Sequence, residues 1–131
     1  MSFGQREFDR TKPEIDFPAH GAPTELVIED LIEGNGKAAT AGDTVSTHYV
    51  GVAFSTGEEF DASWNRGAPL DFKVGVGQVI QGWDQGLLGM KVGGRRRLEI
   101  PSELAYGARG AGSAIGPNES LIFVVDLLDV R

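Results

Sequence analysis

The chain has 131 residues, no cysteine, a formal net charge of -7 and a sequence pI of about 4.7. That length suits one domain able to bury roughly 65 to 70% of its unfolded surface, and the lack of thiols excludes a disulfide scaffold, a cysteine-ligated zinc site and a cysteine nucleophile. The acidic balance repels nucleic-acid phosphates and anionic lipid, and no apolar run approaches the roughly 20 residues that span a bilayer, so neither nucleic acid nor membrane is an expected partner.

Residues 1–24 mix charges with Pro13, Pro18 and Pro23 and carry neither helical nor strand periodicity. They are expected to form a flexible, extended tail ahead of a domain at 25–131. The start, Met1 to Arg10, is charged and lacks the apolar stretch of a signal peptide, which points to the cytoplasm. From Leu26 the pattern changes: Leu26, Ile28 and Leu31 among Glu25, Glu29, Asp30 and Glu33 predict a half-buried strand, ended by Gly34-Asn35-Gly36. Thr44 to Phe54 is rich in β-branched and aromatic residues and predicts a second strand, with a hairpin turn at Ser55 to Glu58 leading into Glu59-Phe60-Asp61. Leu70 to Val74 alternates apolar with polar as a one-sided strand does.

Val79, Ile80, Trp83, Leu87, Leu88 and Met90 recur at helical spacing and predict one short amphipathic helix, with Gly82, Gly86 and Gly89 inside it. Each glycine costs about 1 kcal/mol relative to alanine, so packing on a sheet face must hold that helix together. Arg95 to Ile100 predicts a strand with Arg96, Leu98 and Ile100 on one side and Arg95, Arg97 and Glu99 on the other. Ser102 to Tyr106 suits a single helical turn, and a glycine-rich loop runs from Gly107 to Glu119. Leu121 to Val130 is apolar on both faces near its centre, the pattern of a central strand. The fold class is α+β, an antiparallel sheet wrapped around one helix.

Several chemistries lack their parts. Gly75-Val-Gly77-Gln-Val-Ile80 sits where a dinucleotide loop would, but Ile80 occupies the third glycine position and blocks the close packing that loop requires. The Arg95-Arg96-Arg97 cluster cannot form one basic patch on a strand, since neighbours point to opposite faces; two solvated arginines and one snorkelling over the sheet edge are expected. His20 and His48 lack the usual zinc spacings, and His48 reads as a surface strand residue. Without a Gly-x-Ser-x-Gly elbow, nucleophilic catalysis has no candidate. What remains is apolar and aromatic: Tyr49, Phe60, Phe72, Val79, Ile80, Trp83, Tyr106, Ile115 and Phe123, with Asp61 directly after Phe60.

The segments His48-Tyr49-Val50-Gly51, Gly57 to Ser63 around Phe60-Asp61, Val79-Ile80-Gln81-Gly82-Trp83 to Leu87, Ile100-Pro101 to Tyr106-Gly107, and Pro117-Asn118 to Phe123 occur in that order. Together they resemble the FKBP-type peptidyl-prolyl cis-trans isomerases from about Leu26 to the C-terminus. The resemblance implies a twisted antiparallel sheet curled over one short helix, rotation about the peptide bond preceding proline during protein folding, no cofactor, and a monomer that binds proline-containing polypeptides and immunosuppressant macrolides. It implies Trp83 as the floor under the proline ring, with Tyr49, Phe60, Phe72, Val79, Ile80 and Phe123 as walls and Ile115 as a further contact. Ile80 would offer its N–H to a ligand carbonyl, Tyr106 would donate at the mouth, and Asp61, paired with Arg66, would stand beside the bound amide. Leu70 departs from the family pattern, which commonly has an aromatic there, as do the small residues Ala111, Ala114 and Gly116 before Pro117. Two other readings stay open from the residues: a module that binds proline segments without turnover, and a structural domain whose aromatics are all core.

Overall fold

The computed structural model describes residues 10–18 and 20–131. Six strands form one sheet: β1 (Val27–Ile32), β2 (Thr44–Ala53), β3 (Glu59–Ala62), β4 (Leu70–Lys73), β5 (Arg95–Ile100) and β6 (Leu121–Val130). The order is β1-β5-β6-β2-β3, all antiparallel, and β4 shares with β3 the outer edge of β2. The longest strands, β2 and β6, pair from Val45↔Val130 to Ala53↔Leu121, so the strand that is apolar on both faces lies mid-sheet. Among the described residues, two α-helices accompany the sheet, α1 (Ser63–Arg66) and α2 (Gln81–Gly86), with 3₁₀ turns at Ser102–Leu104 and Gly107–Arg109.

The helix is shorter than the spacing of its apolar residues suggests. Val79 and Ile80 stand before it, with Ile80 in an extended conformation at the N-cap. The glycines at 82 and 86 explain how so short a helix persists: a Cβ at Gly82 would come within 2.5 Å of Ile100 Cγ2, and one at Gly86 within 2.9 Å of Leu98 Cδ2. The helix backbone therefore lies directly on β5. Behind it, Trp83, Leu87, Met90, Leu98, Ile100, Phe123 and Val125 form the core with Val45, Tyr49 and Phe72. Arg96 closes the helix end by donating from Nη1 to the carbonyls of Gly86 (2.9 Å) and Leu88 (3.2 Å), where a cation complements the dipole.

Several sequence expectations are corrected. None of the three arginines is free: Arg96 is buried and pairs with Asp30, Arg97 is buried against Glu99, and Arg95 pairs with the buried Asp126. β1 is an exposed edge strand, with Val27, Ile28, Leu31 and Ile32 all open to solvent. His48 is half-buried, stacked on Trp64 at 4.3 Å with its Nδ1 2.8 Å from Ser63 Oγ. Burial lowers its pKa against the opposing charge of Asp126. Of the expected tail, Met1 to Asp9 lie outside the described residues. Residues 10–18 are extended and lie against the outer face of the sheet, away from α2. No helix among the described residues is long and apolar enough to cross a membrane.

Gly82→Ala gains about 1 kcal/mol of helix propensity but drives a methyl into Ile100. The clash should win, with a net loss of about 1 to 3 kcal/mol in denaturant unfolding. A stabilised variant would show that β5 can yield.

Candidate active site

On the helix side of the sheet, Tyr49, Phe60, Asp61, Leu70, Gln78, Val79, Ile80, Trp83, Tyr106 and Phe123 line an open cleft of about 420 Å³. Trp83 is its floor. Three rings meet this indole, Tyr49 at 5.0 Å and Phe123 at 5.2 Å edge-on and Phe72 at 5.5 Å tilted, so its orientation is fixed by packing. The indole N–H is buried without a partner. Phe60 meets Phe123 edge-on at 5.5 Å, across the place where Gly51 has no side chain. A Cβ at Gly51 would lie 2.6 Å from both rings.

The loop ahead of α2 presents Val79 and Ile80. Gly75 and Gly77 have φ of +82° and +84°, a region that disfavours side chains. Their N–H groups donate to Asp84 Oδ1 and Oδ2, both at 2.8 Å, while Gln78 Oε1 accepts the Lys73 N–H. Asp84 thus folds the loop back onto the helix that follows it. The Ile80 carbonyl accepts from Trp83 and Asp84. Its N–H stands ahead of the first turn, where a helix supplies no acceptor.

Along one rim runs the polar group of the site. Tyr49 Oη donates to Asp61 Oδ2 (2.5 Å), Arg66 Nη1 donates to Asp61 Oδ1 (2.7 Å), and Arg66 Nη2 donates to Tyr49 Oη (2.8 Å). Burial alone would raise the Asp61 pKa, but the hydrogen bonds from Tyr49 and Arg66 and the charge of Arg66 outweigh it and hold the carboxyl below its ordinary value. Burial, with the hydrogen bond to Asp61, raises Tyr49. Partial burial and the charge of Asp61 raise the pKa of Tyr106, whose phenol therefore stays protonated at the mouth. Ser63, fully buried, accepts the Tyr49 N–H at 2.7 Å and fixes the start of α1 to β2.

Eight of the residues expected at the site line the cleft: Tyr49, Phe60, Asp61, Val79, Ile80, Trp83, Tyr106 and Phe123. Three do not. Phe72 is buried behind the indole, Ile115 is buried in the core under the glycine-rich loop, and Arg66 holds Asp61 from outside. Gln78 is a lining residue that the sequence reading missed, and Leu70 appeared there only as a departure. Position in the loop between Gly77 and Val79 was the one available signal for Gln78. Among the described residues, no group of three or more His, Asp or Glu could hold a metal ion.

An antiparallel sheet curled on one short helix, with an indole-floored cleft between them, defines the class of fold and site. The model of the family described as FKBP-type peptidyl-prolyl cis-trans isomerase matches residues 35–128. The chain is 68% identical over 120 residues to an FK506-binding protein of Streptomyces anulatus, covering 91% of this chain and 97% of that one. It is 50% identical over 117 residues to a probable FK506-binding protein of Corynebacterium glutamicum, covering 89% and 97%. The crystal structure of AtFKBP13 superposes with a TM-score of 0.77 at 42% identity, covering 84% of this chain and 96% of the other. The chain belongs to the FKBP-type peptidyl-prolyl cis-trans isomerase family, and its activity is isomerisation of the peptide bond preceding proline.

The sign of the Asp61 shift sets a pH window. A carboxyl held below its ordinary value stabilises the fold above that value, about 3.9, and loses the contribution as pH falls through its lower, folded-state pKa. Carboxyl NMR should show Asp61 titrating below an ordinary aspartate. In Tyr49→Phe, which removes a donor, the midpoint should move upward. An unmoved midpoint would deny Tyr49 that role.

Proposed function

We propose that the cleft seats the proline ring of an extended polypeptide over Trp83 and there speeds rotation of the preceding amide. The observation that carries this is an open, apolar cavity of about 420 Å³ above a fixed indole, with its polar groups confined to the rim. The planar amide owes its barrier to partial double-bond character, and unaided isomerisation takes tens to hundreds of seconds. Rotation breaks no covalent bond. The twisted amide is less charge-separated than the planar one that water solvates well, so an apolar wall favours it. Phe60, Phe123, Val79 and Leu70 supply that wall.

The donors complete the assignment. Ile80 N–H at the helix start and the Tyr106 phenol hold carbonyls of the bound chain, where preorganised dipoles lower the barrier without moving. Asp61, kept anionic by Tyr49 and Arg66, stands beside the rotating amide as a fixed charge. FK506, which the relatives' names identify as their ligand, occupies the same cleft in this chain. The protein acts as a monomer on polypeptides during folding, a part that rests on the family.

A proline-peptide isomerisation assay with an FK506 titration tests the proposal. In a Trp64→Phe background, FK506 should change Trp83 fluorescence saturably and inhibit catalysis with the same midpoint. Phe60→Ala removes a wall worth about 1.5 to 3 kcal/mol of apolar contact, so kcat/KM should fall about tenfold or more. Rates equal to buffer alone, with binding intact, would leave a binding module without turnover.

A further inference from the structure

The segment that carries Phe60 and Asp61 into the cleft, and Arg66 against Asp61 from outside it, has little regular support. β3 is four residues long, among the described residues it pairs only with β2, and its register slips opposite Gly51 and Val52, beside Phe60. α1 is a single turn. Such short elements are marginal unless something else pins them.

A second tie reaches this segment from the far side of the sheet. Asn65 Nδ2 donates to Glu59 Oε2 at 2.9 Å, closing the segment on itself. Lys12 Nζ then lies 2.7 Å from Glu59 Oε1 and 3.0 Å from Asn65 Oδ1. It joins the residue before Phe60 to the residue before Arg66. The hydrogen bond from Lys12 is also the leading cause of a lowered Glu59 pKa.

Lys12 is itself held in place. Two residues earlier, Arg10 donates to Asp126 Oδ2 (3.2 Å) and to the Gly93 carbonyl (2.6 Å), and Arg95 Nη2 donates to the Thr11 carbonyl (3.2 Å). Asp126 is almost fully buried, so this anchor is well shielded from solvent. Beyond Lys12, Pro13 and Ile15 share a shallow outer-face cavity with Val50 and Val52, and Phe17 packs on Phe54 at 5.5 Å. Val50 alternates with Tyr49 and Gly51, which face the cleft, and so points to the opposite side.

We propose that residues 10–18 form a strap across the outer face of the sheet, and that Lys12 is a positioning residue for the isomerase site, setting Phe60, Asp61 and Arg66 through Glu59 and Asn65. The polar partners of Lys12 are Glu59 and Asn65, neither of which lines the cleft, so its effect passes through the geometry of the 59–66 segment. The inference rests on the site assignment proposed above.

The test uses the full chain in the proline-peptide assay at low salt. Lys12→Ala should lower kcat/KM about three- to fivefold, the size an exposed ion pair supports, with the melting temperature unchanged within about 2 °C. Lys12→Arg, which keeps a cation and several donors, should restore most of the rate. Glu59→Gln should reproduce the loss, and Lys12→Ala/Glu59→Gln should lose no more than either alone. Near 1 M salt, where screening acts over about 3 Å, the wild type should approach the Lys12→Ala rate while the variant barely changes. Lys37→Ala, the same charge removed elsewhere, should be fully active. Unchanged kcat/KM in Lys12→Ala beside an impaired Phe60→Ala would overturn the strap alone. Full activity in Phe60→Ala and Asp61→Asn as well would overturn the site assignment and the strap with it.

Discussion

A helix of six residues has no stability of its own in water, and everything at this site depends on one being held against β5. The holding force is contact made possible by absence: Gly82 and Gly86 leave room for Ile100 and Leu98 to press on the helix backbone. Trp83 projects from that helix, so its position over the sheet is fixed by the same contact. Tyr49 and Phe123 then meet the indole edge-on, and all three line the cleft. The propensity lost at two helical glycines is thus offset by packing that also shapes the floor of the cleft.

Charge is placed with the same economy of motion. Isomerising an amide needs no proton delivered and no nucleophile activated, so the titratable groups can be locked. Asp61, Tyr49 and Arg66 hydrogen-bond one another in a closed triangle, and the resulting shifts keep Asp61 ionised and Tyr49 protonated. The rim therefore presents a constant field beside an apolar cavity. A site that had to exchange protons would instead move one of these groups toward the working pH.

Much of this was legible from residue order, and the failures have physical causes. Strand patterns at β2, β5 and β6 survive because long antiparallel pairing rewards β-branched and alternating sequence. The floor and most walls were legible because the quoted segments carry them. Val79 and Ile80 misled, because their spacing with Trp83 is helical while their backbone precedes the helix; Gly75, Gly77 and Asp84 decide that, through a local loop no periodicity reveals. α1 is too short for any period. The partners of Arg95 and Arg96, Asp126 and Asp30, lie far away in sequence, so solvated side chains were the natural reading of a basic triplet. β1 looks half-buried by composition, yet its aliphatic residues Val27, Ile28, Leu31 and Ile32 are exposed among the described residues.

The two apolar faces of β6 carry the last step. A strand apolar on both sides suits the middle of a sheet covered on both sides, but α2 covers only one. Val50, Val52, Ile122 and Val124 point the other way and are nonetheless buried. Part of what shields that face is the chain's own segment from Arg10 to Pro18, which contributes Pro13, Ile15 and Phe17 where the sheet would otherwise meet water. The sheet thus has one face occupied by its own chain and another that carries the indole-floored cleft. That asymmetry suits the proposed seating of a proline-bearing guest on the side of Asp61 and Tyr106, and it makes residues 10–18 part of the packing of the sheet.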